Sequence, residues 1–214
     1  MVRLKICGLT NAPDLRLADE LGADYVGFNF SRTSPRFIEP GRAAYLIQSR
    51  TPGARRVGVF VNEAIGTVRG IFEECRLDVA QLHGDESPDY CRELGLPFWK
   101  AVRVREPDAA LREIERHRDA VVLLDARVDG RYGGTGISFD PEVARRAIAD
   151  GAKIVIAGGI GPDNLERTAA LEPFALDVCS TLEQYPGKKS EEAMKRFFAI
   201  WKRISLKLNR GQET

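Results

Sequence analysis

The sequence has little that would staple, anchor or charge the chain. Its four cysteines, Cys7, Cys75, Cys91 and Cys179, include no Cys-x-x-Cys pair. That spacing argues against a zinc ribbon and a thioredoxin-type redox pair, and predicts free thiols. Only two histidines, His83 and His117, are present, too few for a histidine-rich metal site, so no metal is expected. Charge of one sign is missing as well: 32 Lys and Arg against 31 Asp and Glu leave a net charge of +1. Without a basic surplus there is no electrostatic footprint for nucleic acid. No apolar run approaches the roughly 18 residues of a membrane span. The opening residues MVRLKICGLT lack the apolar segment of a secretory signal. The expectation is a soluble, cytoplasmic protein with neither a nucleic-acid nor a membrane partner.

What is present is one repeating pattern over 214 residues. Short apolar, β-branched runs occur at 4–7, 25–30, 56–61, 79–83, 98–104, 120–126, 153–160 and 175–180. Most are near-continuous rather than alternating, as strands covered on both faces should be. Helical patterns lie between them at 11–21, 42–50, 63–76, 87–94, 107–118, 140–150 and 162–171, with a last one at 190–208. Pro13 near the start of the first and Gly22 just past its end follow the usual helix asymmetry. Strict strand–helix alternation implies a parallel sheet. Eight units without a linker predict a single-domain (β/α)8 TIM barrel over residues 1–206, with 207–214 as a frayed tail. An open doubly wound sheet is the rival.

Barrel chemistry sits where strands end and the following loops begin. Cys7, before Gly8, ends the first strand; it is either a small buried hydrophobe or, if its pKa is lowered, a nucleophile or base. Arg36 lies in the loop after the second strand, where a guanidinium can grip a carboxylate or phosphate or remain a surface charge. His83 ends the fourth strand and, taken alone, reads as a satisfied interior histidine. Asp125 ends the apolar run VVLLD, where a carboxylate is costly unless a polar site receives it. The loop glycines Gly133, Gly134 and Gly136, with Thr135 among them, suit a substrate loop or a plain turn. Gly158 and Gly159 end the seventh strand; with Ser180 and Thr181 after the eighth they offer backbone N–H groups where barrels commonly hold phosphate. Asp177 lies in the eighth strand.

The motifs KICGLT (5–10), GFNF followed by SPR (27–36), RVGVFVN (56–62), VAQLHGDE (79–86), LLDA (123–126), YGGTG with FD (132–140), AGGIGPDN (157–164) and LDV with PGKKS (176–190) follow one another in this order. In this the chain resembles the phosphoribosylanthranilate isomerases of tryptophan biosynthesis over nearly its whole length. The resemblance implies a cofactor-independent Amadori rearrangement of a phosphorylated ribosyl anthranilate; the sequence leaves open whether the chain is a monomer or homodimer. It implies Asp125 as the general acid with a raised pKa, and Cys7 as the general base with a lowered one. It implies Arg36 as the holder of the anthranilate carboxylate, Asp177 and His83 as substrate-lining groups, and the Gly158, Gly159 and Ser180 region as the phosphate cradle. One departure is Cys179-Ser180-Thr181, where Ser-Ser-Gly is usual: Thr181 fits if its φ is negative and is strained if it is positive. Two other readings are a different sugar-phosphate barrel isomerase and a non-catalytic binder of a phosphorylated ligand.

Overall fold

The computed structural model describes residues 1–49, 53–125 and 141–210. Eight parallel strands close into a barrel in sequence order: β1 (Arg3–Ile6), β2 (Tyr25–Asn29), β3 (Arg55–Phe60), β4 (Val79–Leu82), β5 (Phe98–Arg103), β6 (Val121–Asp125), β7 (Lys153–Ala157) and β8 (Ala175–Val178), with β8 pairing back onto β1. The (β/α)8 barrel expected from the alternation is the fold, and the open sheet is excluded by that closure.

Side chains on a strand alternate between its two faces. Here the alternation falls on odd and even numbers all the way round. Even positions such as Leu4, Ile6, Phe28, Phe60, Leu82, Leu124, Ile156 and Leu176 belong to the large core between sheet and helices. Odd positions, Tyr25, Val57, Val79, Trp99, Leu123, Val155 and Ala175, form a separate cluster inside the barrel. The register keeps the phase: Lys5 pairs with Tyr25, Gln81 with Trp99, Asp125 with Ala157 and Asp177 with Lys5. The base of the barrel is filled by aromatic rings, with Tyr25 edge-on to Trp99 at 4.9 Å and Trp99 edge-on to Phe174 at 6.2 Å. With the base packed, the polar odd-numbered residues have only the upper part of the barrel to occupy.

The helices α1 (Ala12–Leu21), α2 (Pro40–Gln48), α3 (Ile65–Glu74), α4 (Pro88–Leu94), α5 (Pro107–Arg116), α6 (Pro141–Ala149), α7 (Leu165–Ala169) and α8 (Glu191–Arg210) form the outer ring. Their ends follow the sequence signals. Asn11 accepts from the Asp14 N–H at 3.0 Å, and Gly22 closes α1 with φ +91°. Ser87 caps α4 by accepting from the Tyr90 N–H. In α8 the buried residues Met194, Phe197, Phe198, Trp201 and Ile204 recur at helical spacing, and the helix packs against α1 and α7. It runs on to Arg210, through the first residues of the segment expected to fray, with Lys207 paired to Glu166 at 3.1 Å.

Two elements differ from the sequence expectation. The helix expected over 162–171 is only the five residues of α7, because Asn164 spends its side chain on the preceding turn: it accepts from Gly161 N–H and donates to Gly159 C=O. A hairpin, β9 (Glu183–Tyr185) with β10 (Lys188–Lys189), follows a 3-10 turn at Ser180–Leu182. Strands of three and two polar residues leave no apolar run to detect.

Candidate active site

The first strand ends in the central group. Cys7 is buried, and its N–H donates to Val178 C=O at 2.9 Å. Gly8 then turns the chain with φ +76°. A Cβ on Gly8 would lie 2.7 Å from Arg36 Cδ and 3.1 Å from Cys179 Sγ, so only glycine lets these groups converge beside Cys7. The Cys7 thiol is held well below its ordinary pKa. The largest cause is the hydrogen bond from the Cys179 thiol; the Lys5 and Lys189 ammonium charges add to it, and together they overcome burial. Cys179 is pushed the other way, by that same bond to Cys7 and by its own burial, and so keeps its proton. A thiolate with a thiol donor beside it is the arrangement a base needs.

Below this pair lies a buried ion pair. Lys5 Nζ donates to both oxygens of Asp177 at 3.0 Å and to Gln81 Oε1 at 2.9 Å. Burial opposes the Lys5 charge, yet Asp177 and Cys7 outweigh it and raise its pKa. Burial is also the largest influence on Asp177, which is pushed up to about 6 against the pull of Lys5. At neutral pH both partners are charged.

Gln81 Nε2 lies 2.9 Å from His83 Nδ1, and His83 Nε2 lies 3.0 Å from Asp125 Oδ2. An unbroken polar chain therefore runs from Asp177 through Lys5, Gln81 and His83 to Asp125, from β8 to β1, β4 and β6. His83 and Asp125 are about one-fifth exposed, at 23% and 18%, so they stand at the open end of the barrel, above the fully buried Lys5.

Arg36 belongs to the loop between β2 and α2. That loop is folded back on itself by the Phe37 N–H donating to Ser34 C=O, and onto β2 by the Ile38 N–H donating to Asn29 C=O, each at 3.0 Å. The guanidinium points inward and meets Glu183 of the hairpin: Nε lies 2.9 Å from Oε1, and Nη2 lies 2.6 Å from Oε2. Burial opposes ionisation of Glu183, but Arg36 and Lys189 hold it below the usual carboxylate range. Lys189, fully buried, spans Glu183 Oε1 at 3.1 Å and Cys179 C=O at 3.0 Å, and its N–H donates to Asp14. The unforeseen hairpin is thus the support for Arg36 and part of the positive surroundings of Cys7.

After β7, Gly158 and Gly159 take φ +89° and +73°. Gly159, Ser180 and Thr181 are exposed together at this rim. Thr181 Oγ1 donates to Ile160 C=O, joining the loops after β7 and β8. Thr181 is not among the residues with positive φ, so the strain that a threonine could have introduced is absent. Gly133, Gly134, Thr135 and Gly136 lie outside the described residues. Among the described residues, no three His, Cys, Asp or Glu side chains gather as a metal site, and no helix is long and apolar enough to cross a membrane.

The structure therefore brings Cys7, Arg36, His83, Asp125 and Asp177 to one end of the barrel. Lys5, Gln81, Glu183 and Lys189 join them, although the sequence pattern singles out none of the four. Lys5 and Gln81 carried a signal: each sits two residues before a site residue in an apolar run, hence on the same face.

A model of the N-(5′-phosphoribosyl)anthranilate (PRA) isomerase family matches residues 4–199. The chain is 45% identical over 198 residues to the N-(5′-phosphoribosyl)anthranilate isomerase of Trichlorobacter lovleyi, covering 92% of this chain and 96% of the relative. It is similar to the crystal structure of phosphoribosyl anthranilate isomerase from Thermotoga maritima, with a TM-score of 0.87 and 36% identity over 94% of this chain and 99% of that one. It is also similar to a phosphoribosyl anthranilate isomerase in complex with reduced 1-(o-carboxyphenylamino)-1-deoxyribulose 5-phosphate, with a TM-score of 0.84 and 34% identity over 94% and 99% of the two chains.

Proposed function

This chain belongs to the N-(5′-phosphoribosyl)anthranilate isomerase family and is an isomerase of tryptophan biosynthesis; on that premise we propose that Asp125 and Cys7 divide its acid and base steps. The substrate is N-(5′-phosphoribosyl)anthranilate, and the product is 1-(2-carboxyphenylamino)-1-deoxyribulose 5-phosphate. Protonated Asp125 gives its proton to the furanose ring oxygen as the C1′–O bond breaks. The anilino nitrogen supplies the electron pair that forms C=N. The Cys7 thiolate then removes the proton from C2′, and the C–H electrons move to C1′–C2′ and neutralise the iminium. The resulting enol-amine takes a proton at C1′ and loses its enol proton, giving the ketone. No oxidant, reductant or cofactor is consumed.

The observation that carries this reading is a buried, low-pKa Cys7 just after β1 together with Asp125 at the end of β6, three places around the same barrel mouth. Acid and base on separate walls suit a reaction that protonates an oxygen and deprotonates a neighbouring carbon. Arg36 has its Nε and Nη2 edge on Glu183. Its Nη1 side meets the anthranilate carboxylate. Gly158, Gly159, Ser180 and Thr181 receive the 5′-phosphate through backbone N–H groups. The ligand of the similar complex carries both a carboxyl and a phosphate group, which supports this division of the site. The enzyme works in the cytoplasm.

The test is turnover of phosphoribosylanthranilate, generated in place and followed by loss of its fluorescence. Conversion to the ribulose product is expected. Tight binding of the reduced product analogue with no turnover would replace this reading by that of a non-catalytic binder.

A further inference from the structure

We propose that Lys5 and Gln81 are positioning residues that lock His83 in its Nε2–H tautomer, and so place the transferable proton of Asp125 on Oδ1. This rests on the reading of Asp125 as the acid.

The tautomer follows from the donors and acceptors along this chain of side chains. A lysine ammonium only donates. Lys5 Nζ faces Asp177 Oδ1, Asp177 Oδ2 and Gln81 Oε1, so its three protons have three acceptors. The amide of Gln81 must therefore turn its oxygen toward Lys5, because its NH2 would oppose the ammonium. With Oε1 so fixed, Nε2 is the atom 2.9 Å from His83 Nδ1. An amide nitrogen only donates, so Nδ1 accepts and carries no proton. The neutral ring then bears its proton on Nε2, 3.0 Å from Asp125 Oδ2.

The consequence falls on Asp125. Oδ2 accepts a hydrogen bond whether the carboxyl is protonated or not. When Asp125 is the acid, its own proton must sit on Oδ1. When that proton has gone to the ring oxygen, the His83 N–H still supports the carboxylate left behind. The buried Lys5–Asp177 pair thus reaches Asp125 through two neutral side chains. The opposite tautomer would set Nδ1–H against the Gln81 NH2 and turn a lone pair on Nε2 toward an ionised Asp125.

The chain has only two histidines, which makes the tautomer directly readable. Nitrogen-15 NMR of histidine-labelled enzyme, with His117→Gln to assign the signals, is expected to give His83 a pyridine-like Nδ1 and a pyrrole-like Nε2. A pyrrole-like Nδ1 in the wild type overturns the proposal, whether or not any variant folds. Gln81→Glu puts an acceptor where the donor was. It is expected to move a proton onto Nδ1 and to lower kcat about 10- to 100-fold with little change in KM. Unchanged nitrogen signals and unchanged kcat in folded Gln81→Glu also overturn the proposal. Asp125→Asn separates the two readings. Full activity there removes Asp125 as the acid while the wild-type spectrum still stands as the test of the lock.

Discussion

Arg36 and Glu183 lie edge to edge across 147 residues of sequence, with only 12% and 4% of their side chains exposed. Two parallel N–H···O contacts fix the plane of the guanidinium and not merely its position. Glu183→Gln keeps the shape and loses the charge. We expect KM for the substrate to rise about tenfold and kcat to change less, because a carboxylate-gripping group has lost its orientation. Steady-state kinetics check this; an unchanged KM would detach Arg36 from substrate binding.

Cys179 supplies the hydrogen bond that most strongly lowers the Cys7 pKa. Removing it in Cys179→Ala raises that pKa, so less thiolate exists at a given pH. The acid-side limb of the kcat/KM profile should therefore move to higher pH. Cys179→Ser retains a donor and should move it less. A profile that stays in place in both variants would mean that the Lys5 and Lys189 charges alone hold the thiolate.

Asp177 ties stability to pH in an uncommon direction. Its folded pKa of about 6 lies above the ordinary 3.8. The native state therefore binds more protons than the unfolded chain between those values. The contribution of this residue is present at low pH and is lost as pH rises through about 6. Asp177→Asn should remove that slope. Urea denaturation at several pH values measures it; a variant that keeps the wild-type slope between pH 4 and 6 would show that Asp177 is not its source.

The barrel was legible because its strands are covered on both sides, and eight apolar runs separated by helices admit few other closures. Cys7, His83, Asp125 and Asp177 were legible because they are polar residues at or near the ends of such runs. All four are odd-numbered, in phase with the interior cluster of Tyr25, Trp99 and Leu123. Lys5 and Gln81 share that phase but lie inside their runs rather than at the ends, where barrel chemistry is expected. Glu183 was not legible at all. Its partner is set by how a two-strand hairpin folds back onto Thr10 after β1 and Asp14 of α1, and local pattern does not carry contacts at that separation. The φ of Thr181 likewise depends on the 3-10 turn that follows β8, which no propensity announces.

The division of labour between Cys7 and Asp125 is tested most directly by turnover of Cys7→Ala and Asp125→Asn beside the wild type. Both variants are expected to stay folded and still bind the reduced product analogue, while each loses about 10²-fold or more in kcat. Either variant turning over at the wild-type rate would contradict it.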